Sequence, residues 1–156
     1  MLFRSAPENL IDINRIAALA EITEEGGNLR IGAMVRQRDA QDSPLLRARA
    51  PLMIEALDLI GHLQTRNRGT IGGSLAHLDP AAELPGLALL LDARLKTTQR
   101  TIAAADFFQG TLATALEADE ILTEIILPAP APGTGWGFEE FARRSGDFAS
   151  DREGTR

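Results

Sequence analysis

No cysteine occurs among the 156 residues, which excludes a disulfide framework, a thiolate metal site, iron–sulfur ligation and cysteine nucleophilic catalysis in this chain. Tyrosine is also absent, tryptophan occurs once, and aromatic residues make up 4%. A base-stacking platform for single-stranded nucleic acid needs more rings than that. Acidic residues outnumber basic ones by 22 to 16, a formal net charge of -6, so nucleic-acid binding lacks the basic surface it requires. No apolar run approaches the ~18 residues of a membrane span. The apolar part of Met1–Pro7 is too short for a secretory signal. The two histidines, His62 and His77, have no cysteine or Glu-x-x-His pattern to join them into a metal site. A soluble, cytoplasmic chain is expected. At 44% hydrophobic it can build a core, and its length suits one domain or a piece of a larger one.

The apolar periodicity sorts the chain into short elements. Leu10-Ile11-Asp12-Ile13 reads as a strand ended by Asn14. Residues 20–23 and 29–34 flank Glu24-Glu25-Gly26-Gly27-Asn28, which predicts a β-hairpin with Leu29, Ile31 and Ala33 on one face. Residues 39–59 read as helix, with a start at Asp42-Ser43-Pro44 and a break at Ala50-Pro51. Asp79-Pro80 opens another helix through Leu84, Leu87, Leu90 and Leu91, with Asp79 as N-cap. Pro85 then implies either a kink or a start shifted toward Glu83. Residues 94–98 and 101–103 pair across Gln99-Arg100, and 105–108 form a helical turn ending at Gly110. A strand runs from Glu120 to Leu127 and stops at Pro128. After a proline–glycine connector, Trp136–Ala142 is a last strand and residues 145–156 a fraying polar tail.

Between the apolar helices lies a polar, glycine-dense stretch, Thr65 to Pro80, expected to be a loop. Gly72 and Gly73 remove two adjacent Cβ atoms. A ligand could then approach the backbone, with N–H groups converging on an anion, or the pair could serve a tight turn. Thr70 and Ser74 bracket the glycines with hydroxyls, and Arg66 and Arg68 place positive charge upstream. Neither the P-loop nor the Rossmann glycine spacing is present. Asp79 and Glu83 could accept hydrogen bonds from ligand hydroxyls or favour the positive end of a helix. Arg143, Arg144 and Ser145 form no Ser/His/Asp constellation. The residues alone thus give a soluble domain of mixed helix and strand with one ligand-like glycine loop.

The run from Arg66 through Thr70-Ile71-Gly72-Gly73-Ser74 to Glu83-Leu84-Pro85 resembles the FAD-binding medium subunits of molybdenum hydroxylases, aerobic carbon monoxide dehydrogenase and xanthine dehydrogenase among them. Leu10–Ile16, Leu29–Met34, Asp119–Leu122 and Phe141–Ala149 resemble the same family, in its order and spacing. The resemblance implies an α+β fold, the second subdomain of a vanillyl-alcohol-oxidase-like FAD-binding domain, with a mainly antiparallel sheet flanked by helices. By motif match it assigns FAD contacts to Thr70, Ile71, Gly72, Gly73 and Ser74, and a cofactor-contacting acidic position to Glu83. Ile60 and Leu122 fall where related enzymes approach the isoalloxazine. It also implies a molybdopterin-binding large subunit and a 2Fe-2S small subunit as partners, with electrons passing through FAD to an acceptor.

The family usually begins about 50 residues earlier, with an Ala-Gly-Gly-x-Ser-Leu loop that has no counterpart here, and continues beyond the Ser-Gly-Asp-Phe-Ala motif. Residues 1–16 are therefore expected to be a remnant of the first subdomain, 17–142 the second, and 143–156 the start of a C-terminal domain. The alternatives are a non-catalytic assembly module or a fragment with no independent function.

Overall fold

The computed structural model describes residues 7–141 and the backbone of Asp151–Thr155. Its centre is a five-stranded, wholly antiparallel sheet made of β1 (Ile22–Glu25), β2 (Asn28–Gly32), β3 (Arg94–Thr97), β4 (Thr101–Ala103) and β7 (Leu122–Leu127), in the order β1-β2-β7-β3-β4. The β1–β2 turn holds Gly26 and Gly27 at φ 58° and 78°. Both central residues of a two-residue hairpin turn of this hand need positive φ, which glycine adopts without strain. Strand β7 arrives late in the chain and slots between the two hairpins, with Leu29 opposite Leu127 and Leu95 opposite Ile125.

Alternation along the strands puts Leu29, Ile31, Leu95, Ile125 and Leu127 in the core. The opposite face is charged. Arg30 grips Glu124 with two hydrogen bonds, Nε to Oε1 at 2.9 Å and Nη2 to Oε2 at 2.7 Å, and also pairs with Glu25. Lys96 Nζ lies 3.7 Å from the same Glu124 carboxylate.

Helices cover the apolar face: α1 (Gln37–Asp42), α2 (Pro44–Arg49), α3 (Pro51–Leu59), α4 (Leu63–Arg68), α5 (Ile71–His77), α6 (Glu83–Leu90) and the single turn α7 (Ala104–Phe107). Leu46, Leu57, Ile71, Leu75 and Phe107 are fully enclosed, each worth roughly 1.5–3 kcal/mol of burial. Two small ribbons complete the chain: β5 (Phe108–Gly110) with β6 (Ala113–Thr114), and β8 (Gly137–Phe141) with β9 (Asp151–Thr155).

The hairpins, the β7 segment and the breaks at Ser43-Pro44 and Ala50-Pro51 match the sequence reading. Ser43 Oγ accepts from Leu46 N at 3.3 Å, and each proline opens a helix. Four expectations fail. Leu10–Ile13 is not a strand; no strand among the described residues pairs with it, and Leu10 and Ile11 are each 82% exposed. The glycine-dense stretch is two helices, α4 and α5, not a loop. Asp79 is not the N-cap of the later helix but accepts from Ala81 N in a turn, while the helix starts at Glu83, the alternative that Pro85 offered. The tail does not fray throughout, because Asp151–Thr155 pairs with β8. Arg143, Arg144, Ser145 and most of the Phe141–Ala149 motif lie outside the described residues.

A buried carboxylate fastens the β3–β4 hairpin to the approach of β7. Glu120 accepts from Arg100 Nε and Nη2, both at 3.0 Å, from Thr97 Oγ1 at 2.5 Å and from Glu117 N at 3.1 Å. Arg100 first, and Thr97 next, hold its carboxyl down to about 2. A depressed carboxylate stabilises the fold above its unfolded value of 4.5 and loses that contribution as pH falls toward 2. Urea midpoints of the wild type should therefore decline across that acid window. Glu120→Gln should start lower at neutral pH and decline less steeply; parallel curves would refute the role given to Glu120.

Candidate functional site

Of the residues singled out by sequence, Thr70 to Ser74 form the start of α5, and the segment after β2 seats them there. Ala33 N donates to Thr123 O at 2.9 Å, while Ala33 O accepts from Gly72 N at 2.9 Å. Ile71 N donates to Val35 O at 3.0 Å, Gln37 N to Gly69 O at 2.9 Å, and Arg36 forms a β-bridge with Thr70. Residues 33–37 thus work as a strand-like cradle for residues 69–72. The Arg36 guanidinium reinforces it, bonding Arg68 O and, at 2.5 Å, Asn14 Oδ1.

Thr70 is the N-cap of α5, its Oγ1 accepting from Gly73 N at 3.0 Å. Ser74 N reaches Thr70 O at 3.2 Å. With Ile71 N and Gly72 N taken by Val35 and Ala33, the first four amides of the helix are all engaged within the protein. They do not form the converging anion nest that adjacent glycines allow. Each glycine has a packing reason instead. A Cβ on Gly72 would lie 2.5 Å from Ala33 Cβ, so the helix could not rest against the strand; one on Gly73 would lie 2.6 Å from Thr70 Oγ1 and displace the cap.

What this arrangement leaves on the surface is specific. Gly73 is exposed and Thr70 and Ser74 half-buried, with Ala76 and His77 continuing the exposed side of α5. Ile71 and Gly72 are buried and support this face from within. Glu83 is buried at the head of α6, which packs on α5. Leu122 opens β7 one residue before the Thr123 carbonyl that Ala33 holds, so it belongs to the same end of the sheet. Ile60 sits elsewhere, capping α3, where Arg66 Nη1 donates to Ile60 O at 2.7 Å and Gly61 O at 3.1 Å. His62 and His77 are exposed, one preceding α4 and the other ending α5.

Sequence reasoning missed Ala33, Arg36 and Gln37. Gln37 is buried, its Oε1 has no hydrogen-bond partner, and a Cβ on Gly69 would lie 2.6 Å from that oxygen. The only local signal was a small residue at 33, whose match to Gly72 depends on a pairing almost 40 positions apart.

Chemically, the face offers two hydroxyls, which can both donate and accept, beside backbone that a flat or extended ligand can touch closely at Gly73. That set fits the hydroxyl-bearing part of a flavin nucleotide, such as its ribityl or ribose oxygens. The diphosphate would need donors from elsewhere, since the α5 amides are taken. The close packing gives a graded expectation for stability. Gly72→Ala should cost about 1–3 kcal/mol through overpacking, while Thr70→Ala and Gly73→Ala should each cost about 1 kcal/mol through the cap. Urea unfolding measures all three, and a Gly72→Ala protein as stable as the wild type would contradict the contact with Ala33.

Residues 1–130 match the family described as the FAD binding domain in molybdopterin dehydrogenase. The chain is 47% identical over 148 residues to the carbon monoxide dehydrogenase medium chain of Hydrogenophaga pseudoflava, covering 92% of this chain and 52% of that one. It is 39% identical over 150 residues to the caffeine dehydrogenase subunit beta of Pseudomonas sp. (strain CBB1), covering 93% and 51%. The solved carbon monoxide dehydrogenase from Hydrogenophaga pseudoflava that lacks the Mo-pyranopterin moiety superposes with a TM-score of 0.89 at 47% identity, over 93% of this chain and 52% of that one. The chain spans about half the length of the curated relatives it matches. With the family matched over most of its length and the antiparallel α+β fold shared with a solved relative, the chain belongs to the FAD-binding domain family of the molybdopterin dehydrogenases, whose cofactor is FAD.

Proposed function

We propose that this chain forms one wall of the FAD site in the electron-transfer flavoprotein subunit of a molybdenum-containing hydroxylase or dehydrogenase. The carrying observation is the start of α5: a Thr-Ile-Gly-Gly-Ser segment locked to the sheet through Ala33, with Thr70, Gly73 and Ser74 facing outward. In this reading Thr70, Gly73 and Ser74 touch the cofactor, and Ile71 and Gly72 fix the helix beneath them. Glu83 orients the site from the head of α6, and the family resemblance assigns Leu122 and, apart from the α5 face, Ile60 to the approach of the isoalloxazine. Residues 17–142 are the second FAD subdomain, 1–16 belong to a first subdomain and 143–156 to a third.

Bound FAD would supply the redox chemistry, taking electrons that originate at a molybdopterin-binding large subunit and arrive through 2Fe-2S clusters of a small subunit. The relatives' names, a medium chain of carbon monoxide dehydrogenase and a subunit of caffeine dehydrogenase, support a place in a multi-subunit enzyme. A cytoplasmic enzyme complex goes with this assignment. The chain's own residues bind and orient; none of them is asked to transfer a proton. Among the described residues no helix is long and apolar enough to cross a membrane.

The test is an FAD titration of the purified chain followed by flavin fluorescence, alongside the full-length Hydrogenophaga pseudoflava medium chain. Because the α5 amides cannot serve the diphosphate, saturable binding weaker than that of the longer relative is expected. Ser74→Ala should weaken it further, about fivefold for one lost hydrogen bond of ~1 kcal/mol. Binding unchanged by Ser74→Ala, or FAD affinity equal to that of the longer relative, would overturn the assignment.

A further inference from the structure

The other end of the sheet carries a cleft that the flavin reading does not use. Strand β2 separates the two places. Ala33, beyond its end, cradles α5, whereas Leu29 near its start lines the cleft, about 14 Å away for four residues of extended chain. The cleft has a volume of about 250 Å³ and lies between the β1–β2 turn, the α2–α3 junction and the stretch after β7. Leu29, Leu52, Leu91, Leu127, Pro128 and Trp136 form much of its wall. Pro51 and Pro130 add two more rings, and proline's fixed φ makes such a wall stiff and poor in N–H donors.

Its few polar side chains are already committed. Arg49 pairs with Glu24 Oε1 at 3.0 Å and donates to Gly27 O at 3.4 Å. Thr134 Oγ1 donates to Ala131 O at 2.7 Å, and Trp136 Nε1 donates to Glu55 Oε1 at 3.2 Å. The one charged lining side chain, Arg49, is paired with Glu24, so the wall carries no net charge that would favour an ion over a neutral guest. A cavity of about 150 Å³ is enough to hold benzene, so this one has space for a ring and its substituents. Trp136, 47% exposed, presents an aromatic surface for stacking.

We propose that this cleft is a second binding site, selective for a neutral aromatic molecule of one or two rings that stacks on Trp136. The site stands independently of the flavin assignment. Trp136 is the only tryptophan in the chain, so its emission reports on occupancy directly. The probe is 4-nitrotoluene, a neutral ring that quenches indole emission, with anionic 4-nitrobenzoate as its charged counterpart.

Saturable quenching by 4-nitrotoluene and only collisional, non-saturating quenching by 4-nitrobenzoate are expected. Ala48→Phe, at an exposed position lining the cleft, should weaken the saturable phase at least about tenfold by filling the space. Ala129→Phe, exposed on another part of the wall, repeats the test should the first variant fail to fold. Non-saturating quenching by both probes, or saturation untouched by the filling variants, would overturn the proposal. So would a chain dimer that Ala48→Phe dissociates, since the cleft would then be a contact between copies.

Discussion

The backbone of Ala33 ties the central strand of the sheet to the helix that carries the family motif. Its N–H is held by Thr123 at the start of β7 and its carbonyl by Gly72 in the first turn of α5. Two hydrogen bonds of ordinary length therefore transmit the position of one element to the other, and the side chain between them must be small on both sides. Ala33 supplies one methyl group and Gly72 none; a Cβ at residue 72 would lie 2.8 Å from both Ala33 Cα and Ala33 O. Interiors packed to crystal density tolerate no extra methyl group at such a point. The orientation of Thr70, Gly73 and Ser74 follows from this contact.

That geometry changes what the glycine pair means. Adjacent glycines before a helix suggest a ligand cradled on free amides, yet the amides of residues 71–74 all have partners inside the protein. The motif serves first as a joint between helix and strand, and its ligand face is made of hydroxyls and one exposed glycine. A cofactor bound there relies on contacts that exchange easily with water, so its affinity depends on how many other surfaces close around it. The relatives matched here are about twice as long as this chain, which gives them other surfaces to contribute.

Features set by neighbours in sequence were legible from the outset. The Gly26-Gly27 turn, the alternation of Leu29 and Ile31, and the starts at Pro44 and Pro51 each depend on a few adjacent residues. What could not be read depends on distant partners. Leu10–Ile13 has strand composition and no strand beside it. Most of the Thr65–Pro80 stretch looks polar and flexible but lies in two helices, because Thr70 caps the second and Ile71 and Leu75 bury its inner face. Glu120 looked like the beginning of a strand, and its role as the acceptor for Arg100 emerges only when β3 and β4 fold back on it. Within the candidate site, Gly72-Gly73 with the hydroxyls of Thr70 and Ser74 stood out from the residues and gained its FAD assignment from the resemblance, whereas the cradle of Ala33, Arg36 and Gln37 needed the tertiary pairing.

The stability of the site rests on β7 more than on either hairpin. Arg30 and Glu124, 94 positions apart in sequence, meet across the sheet, and the buried apolar residues of the core run from Leu29 to Leu127. Without β7 the sheet is two separate hairpins, and isolated two-stranded hairpins are marginal in water. The Ala33–Thr123 bond would vanish with them, taking away the support that seats α5. A pairing of this sequence separation closes a long loop before it gains any contact energy, so folding should be limited by the arrival of β7 rather than by the local hairpins. The motif helix is then among the last parts to become fixed, since its seat exists only after the two halves of the sheet have been joined.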